Sequence, residues 1–227
     1  MNQKLRQDDD NDEKMLGPDP FTGIIQDGYK TLLEDRIILI NGEIKDDIVE
    51  KAMVPLMKFA SNKPKTPITI IVNSYGGQAD DAMALVDLMM YVKTPITTVV
   101  FGKAMSAAFD IFLAGDYRIA HANSLLMSHA GSESIHPIPL PFIKDIAKLN
   151  DELFERWAKF YASRTKMTYD EWYKLITSGR DRFFFPEEAL EKGLIHEIHQ
   201  PCGKEMTPIK TKSKKSNKRK SKKSKRK

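Results

Sequence analysis

Three short stretches of the sequence hold residue types suited to acyl-transfer chemistry: "NSYGGQ" (73–78), "FGKAMSAAFDIFLAGD" (101–116) and "LLMSHAG" (125–131). Ser106 stands between the β-branched run "ITTVV" and an Ala-rich helical pattern. A serine at such a corner either caps the helix, by accepting a bond from an orphan amide, or acts as a nucleophile. The pair Gly76-Gly77 forms either a tight turn or a place where backbone comes close to a ligand and aims an amide outward. A second amide, that of Ala107, falls in the first turn of the helical stretch, unpaired within it and at the positive end of its dipole. Two such amides could hold a developing oxyanion. A serine nucleophile also needs a base, and His129 closes an apolar strand pattern just before a glycine. The other histidines are weaker candidates: His121 reads as mid-turn, His136 lies in a Pro-rich stretch, and His196 and His199 fall near the C-terminal tail as solvated residues.

The elements that must position these residues alternate between short β-branched runs and longer helical patterns. Strands are expected at 36–42, 67–74 and 95–102, with helices opened by Asp46 or Asp47, at 78–93 and at 106–115. "YRIAHA" and "SLLMSHA" read as two further short strands. Near-continuous apolar strands alternating with helices imply an α/β fold around a largely parallel, buried sheet. Sites in such sheets lie beyond the strand C-terminal ends, which is where 73–78 and 102–107 fall. Farther on, Phe142, Ile146, Leu149, Leu153, Trp157 and Phe160 recur at helical spacing as one apolar stripe, interrupted by Lys148, Glu152 and Glu155. "TYDE" (168–171) is a capping box that starts another helix.

A chain of 227 residues with 41% hydrophobic content can bury one sizeable core and carries tails besides. Runs such as "AMALVDLMMYV" are too short to span a bilayer, and the N-terminus "MNQKLRQDDDNDEKM" is acidic rather than signal-like, so a cytoplasmic protein with no membrane association is expected. The single cysteine, Cys202, excludes an intrachain disulfide and a cysteine-based metal cluster. Net charge is +5, yet residues 210–227 hold twelve Lys or Arg and no acid, and the remaining 24 basic residues against 31 acidic ones leave a body of −7. A Lys/Ser run without apolar residues reads as disordered, and either contacts nucleic acid non-specifically or serves only to solubilise.

Taken in order, "DRIIL", "NSYGGQ", "GKAMSAA", "LAGD", "LLMSHA", a long helix and "GRDRFFFPEEALEKGLI" resemble the proteolytic subunit of Clp protease over residues 30–200. The resemblance implies a crotonase-like spiral of ββα units with a protruding handle helix at about 140–163. It also implies a homo-oligomer of seven-membered rings stacked in pairs around a proteolytic chamber. It divides the chain into an acidic, disordered segment 1–20, a peptidase domain 21–203 and a basic tail 204–227. Carried over by position, Ser106 is the nucleophile, His129 the base and Asp181 of "RDRF" the acid that orients it, with Gly77 and Ala107 as oxyanion donors. No metal or organic cofactor is implied. The partners implied are polypeptide substrates and an unfoldase ATPase.

Departures accompany the matches. Tyr75 replaces the usual proline, and "MSHAGSES" lacks the family's "HQP" and the glycine pair after it. The Ser-to-His connection is as short as in the phage-encoded branch, and the N-terminus does not reproduce the axial hairpin. Asp110 stands one helical turn after Ser106 where the family carries an apolar residue; a Lys or Arg partner, from this or a neighbouring subunit, or partial exposure is expected for it. The leading function is a self-compartmentalised serine endopeptidase for unfolded chains. The alternatives are a phage head-maturation peptidase that cuts scaffold or capsid proteins, and a non-catalytic ring or crotonase-like binding protein.

Overall fold

A computed structural model of the chain describes residues 20–131 and 139–200. The acidic segment up to residue 19, His136, Cys202 and the basic tail lie outside the described residues. Helices and strands alternate: α1 (Pro20–Glu34), β1 (Ile37–Asn41), α2 (Asp46–Asn62), β2 (Ile68–Ser74), α3 (Ala79–Tyr91), β3 (Ile96–Met105) and α4 (Ala107–Ala114). They are followed by β4 (Tyr117–His121), β5 (Leu125–Ser128), α5 (Leu140–Arg164), α6 (Tyr169–Thr177), β6 (Arg182–Phe184), α7 (Pro186–Glu191) and β7 (Glu197–His199). The α/β expectation holds. Among the described residues no helix is long and apolar enough to cross a membrane.

β1, β2, β3, β4 and β7 are parallel neighbours in that order. The branch that matters lies on β3. Its first half, Thr97 to Val100, pairs with β4, and its second half, Lys103 to Met105, pairs in parallel with β5. β5 in turn takes β6 as an antiparallel partner, Ser128 opposite Arg182. Gly102 sits at the fork with φ +79°, a conformation that side chains with a Cβ rarely adopt, and a Cβ there would stand 2.9 Å from Asn73 Oδ1.

Two stretches differ from expectation. β3 continues to Met105 instead of ending at Gly102, because a change of partner strand, invisible in hydropathy, carries the ladder past the glycine. α1 occupies a stretch that carried no helix expectation, since Gly23 and Gly28 interrupt its pattern. α2 opens at Asp46 as read, with Asp46 and Asp47 in its first turn, where their carboxylates complement the positive end of the dipole. The capping box at Thr168 and Glu171 forms as read.

Beneath the fork, Phe109, Tyr161, Trp172 and Phe184 bring α4, α5, α6 and β6 onto one aromatic cluster, with Tyr161 and Trp172 edge to face at 4.9 Å and Phe109 and Phe184 stacked at 6.4 Å. All eight residues of α4 are buried, so its last carbonyls need donors. Arg164 of α5 supplies them, donating to Leu113 O, Ala114 O and Gly115 O. Arg118, itself buried, donates to Gly115 O, Arg164 O, Gly193 O and Leu194 O. Burial, and secondarily the neighbouring Arg164, lowers its pKa to about 10.

Asp110 corrects an expectation. It is 6% exposed, among the described residues no cation pairs with it, and its partner is the Tyr161 hydroxyl, which donates to Oδ1. Desolvation pushes its carboxyl up to about 7, against a smaller opposing contribution from the Tyr161 bond.

Two outcomes follow from these buried groups. Arg118→Leu leaves several buried carbonyls without donors and should lower the unfolding free energy by about 3 kcal/mol or more, read as a shifted urea midpoint at constant slope. For Asp110, a folded pKa above the unfolded 3.8 means that folding disfavours the ionised form. The cost begins near pH 4, grows through pH 5 and 6, and is complete above about 7. Asp110→Asn should therefore raise the melting temperature more at pH 8 than at pH 5; an equal gain at both would refute the assignment.

Candidate active site

The fork brings the Ser106, His129 and Asp181 side chains to one place. Ser106 is the residue after β3, His129 the residue after β5, and Asp181 the residue before β6, so the parallel and antiparallel registers put all three at one end of the branch. The backbone is pinned there by the Ser106 N–H, which donates to Met127 O at 2.9 Å. His129 Nε2 lies 2.7 Å from Ser106 Oγ, and His129 Nδ1 lies 3.4 Å from Asp181 Oδ1. With Nδ1 protonated toward the carboxylate, Nε2 is free to accept the Ser106 proton. Asp181 is 55% exposed and its separation is longer than a short hydrogen bond, so its hold on the imidazole is an orienting one.

Ser106 precedes α4 but does not cap it, for its side chain makes no bond to the helix amides. Its backbone has φ 53° and ψ −130°, an uncommon conformation for a residue with a side chain. A sharp strand-to-helix turn of this kind aims the hydroxyl away from the helix and toward the imidazole. The capping reading of this serine is thereby removed.

The glycine pair packs against the same turn. A Cβ on Gly76 would stand 2.7 Å from both Ser106 Cβ and Met105 O, so only glycine allows this approach. Gly77 is held against Ile44, whose N–H donates to Gly76 O and whose carbonyl accepts from the Gln78 N–H, both at 2.8 Å. Among the described residues, neither the Gly77 amide nor the Ala107 amide donates to a backbone carbonyl outside the regular elements. An open groove of about 570 Å³ runs along Asn41, Gly42, Tyr75, Gly77 and Lys103, with the Lys103 ammonium 4.0 Å over the exposed Tyr75 ring.

The remaining described histidines lie elsewhere. His121 is the last residue of β4, its ring 4.9 Å from that of His199 on β7. His196 is part-buried rather than solvated, its Nδ1 accepting from the Arg118 N–H at 3.0 Å. Among the described residues no group of three or more His, Cys, Asp or Glu is gathered to hold a metal. Sequence reasoning missed Ser128, Trp157 and Tyr161, which line a cavity beside Ser106. The stripe on α5 signalled a buried face, without saying that its C-terminal half borders Ser106.

Two comparisons with known proteins show the family of the chain. The family model described as Clp protease matches residues 22–201. The ATP-dependent Clp protease proteolytic subunit of Deinococcus radiodurans is 32% identical over 177 residues, which cover 76% of this chain and 84% of that protein. With its motifs on one strand fork and a family match along most of its length, the chain belongs to the Clp protease family.

Proposed function

We propose that the chain is a serine endopeptidase that cuts unfolded or delivered polypeptides inside a ring assembly, with Ser106, His129 and Asp181 as its triad. The 2.7 Å approach of His129 Nε2 to Ser106 Oγ carries this reading. Ser106 Oγ attacks the scissile carbonyl as His129 takes its proton, and Asp181 holds the imidazole and stabilises the imidazolium. The Gly77 and Ala107 amides meet the charge that develops on the carbonyl oxygen. His129 then returns the proton to the leaving amine, and water, activated by the same base, releases the acyl chain.

Assembly is supported by α5. Its C-terminal half is packed into the core through Ala158 and Tyr161, whereas Phe142, Ile143 and Leu149 in its N-terminal half are 56%, 48% and 55% exposed. Such an apolar face suits a contact between rings. The Deinococcus relative is named as ATP-dependent, and on that likeness an unfoldase ATPase is the proposed feeder.

Fluorophosphonate labelling followed by mass spectrometry should give one adduct, on Ser106, abolished by His129→Ala; undiminished labelling of that variant sinks the triad. Asp181→Asn should lower kcat by roughly 10²-fold, less than the ~10⁴-fold seen where the orienting acid is buried, because Asp181 is half-exposed. Leu149→Asp places an unpaired charge on the exposed part of α5 and should leave folded particles of half the size by light scattering. Full-size particles would remove α5 from the ring contact.

A further inference from the structure

The β7 edge of the sheet carries a cluster of side chains that the chemistry at Ser106 does not use. β7 is three residues long and pairs in parallel with β4, so that Ile119, Ala120 and His121 stand opposite Glu197, Ile198 and His199. Residues opposite each other in a ladder turn their side chains to the same face. His121 and His199 are therefore neighbours by register, with ring centroids 4.9 Å apart and planes at 64°.

Such a pair is either an aromatic contact or two ligands of one metal ion. An imidazole centroid lies about 3.2 Å from an ion held at about 2.0–2.1 Å by one ring nitrogen, so two imidazoles at about 90–109° on one ion have centroids about 4.5–5.2 Å apart. The distance of 4.9 Å fits both readings, and the surroundings favour the second. Among the described residues the hydrogen bonds of histidine rings are those of His129 and His196, so none occupies the nitrogens of His121 or His199. Phe101 stacks on His121 at 4.0 Å, which fixes that ring and leaves its in-plane lone pair clear. Glu197 Oε1 lies 3.7 Å from His199 Nδ1, and the Tyr117 hydroxyl donates to Oε2 of the same carboxylate at 3.2 Å. A carboxylate held in this way draws the proton to Nδ1 and leaves Nε2 for a metal. The His199 side chain is 46% exposed and has room to turn its ring toward His121. Burial first, and His199 second, hold the His121 pKa below its ordinary value, which keeps this imidazole neutral and able to ligate. Paired imidazoles suit zinc, copper and nickel, whereas magnesium and calcium take oxygen ligands.

We propose that His121 and His199 bind one divalent zinc, copper or nickel ion between β4 and β7, with Glu197 orienting His199 and water completing the coordination. The ion clips a short edge strand to the sheet, where three ladder pairs hold it.

The test is thermal unfolding of the full-length protein, stripped with a chelator and then given zinc chloride or magnesium chloride. Zinc at about a hundredfold its dissociation constant should raise the unfolding midpoint by about 5 °C or more, and magnesium should leave it unchanged. His199→Ala and His121→Phe, the second of which keeps the stack on Phe101, should each abolish the zinc shift. Electron paramagnetic resonance of bound copper should show splitting from two nitrogens in the wild-type protein and from fewer in His199→Ala, a reading that stands if His121→Phe does not fold. A wild-type midpoint that zinc leaves in place, a zinc shift retained in either variant, or a magnesium shift as large as that of zinc overturns the site.

Discussion

The pairing of Lys103, Ala104 and Met105 with Leu125, Leu126 and Met127 is the contact on which the arrangement at Ser106 depends. Past Gly102, β2 offers β3 one further pair, Ser74 with Ala104, whereas β5 pairs three residues in a row and alone gives Ser106 and His129 a common register. Met105 lies opposite Met127, so the two residues leave the ladder side by side, and β6, antiparallel on β5, brings Asp181 to the same end. The geometry at Ser106 is therefore a property of backbone registry, and the side chains need little freedom to meet. The aromatic cluster below stabilises the same branch, because Phe109 and Phe184 stack across α4 and β6.

Much of this was legible in the chain. The strands 36–42 and 67–74, the short strands after Asp116, the helix over 140–163 and the capping box at Thr168 are local patterns, and local patterns survive folding when tertiary contacts agree with them. The fork was not legible. It depends on a partner that arrives twenty residues later, and the sequence at the switch, "FGKA", looks like a strand end because glycine and lysine are poor strand formers.

The site divides in the same way. Ser106 and His129 could be picked out from residue type and position, because each follows an apolar strand pattern. Asp181 could not, since an aspartate between Arg180 and Arg182 looks like any solvated charge until β6 is paired. Asp110 was noticed as an oddity but was assigned the wrong kind of partner. A phenol on α5, 51 residues away, was the answer, and nothing in the stripe that contains Tyr161 distinguishes a donor to a buried acid from an ordinary core ring. Buried polar pairs form between elements, so neither partner carries a local mark of the other.

The fork also grades how the chain can change in length. From Gly102 to Ser106 the backbone works as a ruler, one end set by the partner switch and the other by the bond from the Ser106 amide to Met127. An insertion or deletion inside that span would turn every following side chain to the opposite face of the ladder and carry the hydroxyl away from the imidazole. The turns on either side of β4 offer no slack to absorb the error, since Gly115 O is held by Arg118 and Arg164 and the buried Ser124 hydroxyl donates to Val100 O. Evolutionary drift in chain length, and any engineered graft, therefore has no room in the four peptide bonds that lead to Ser106.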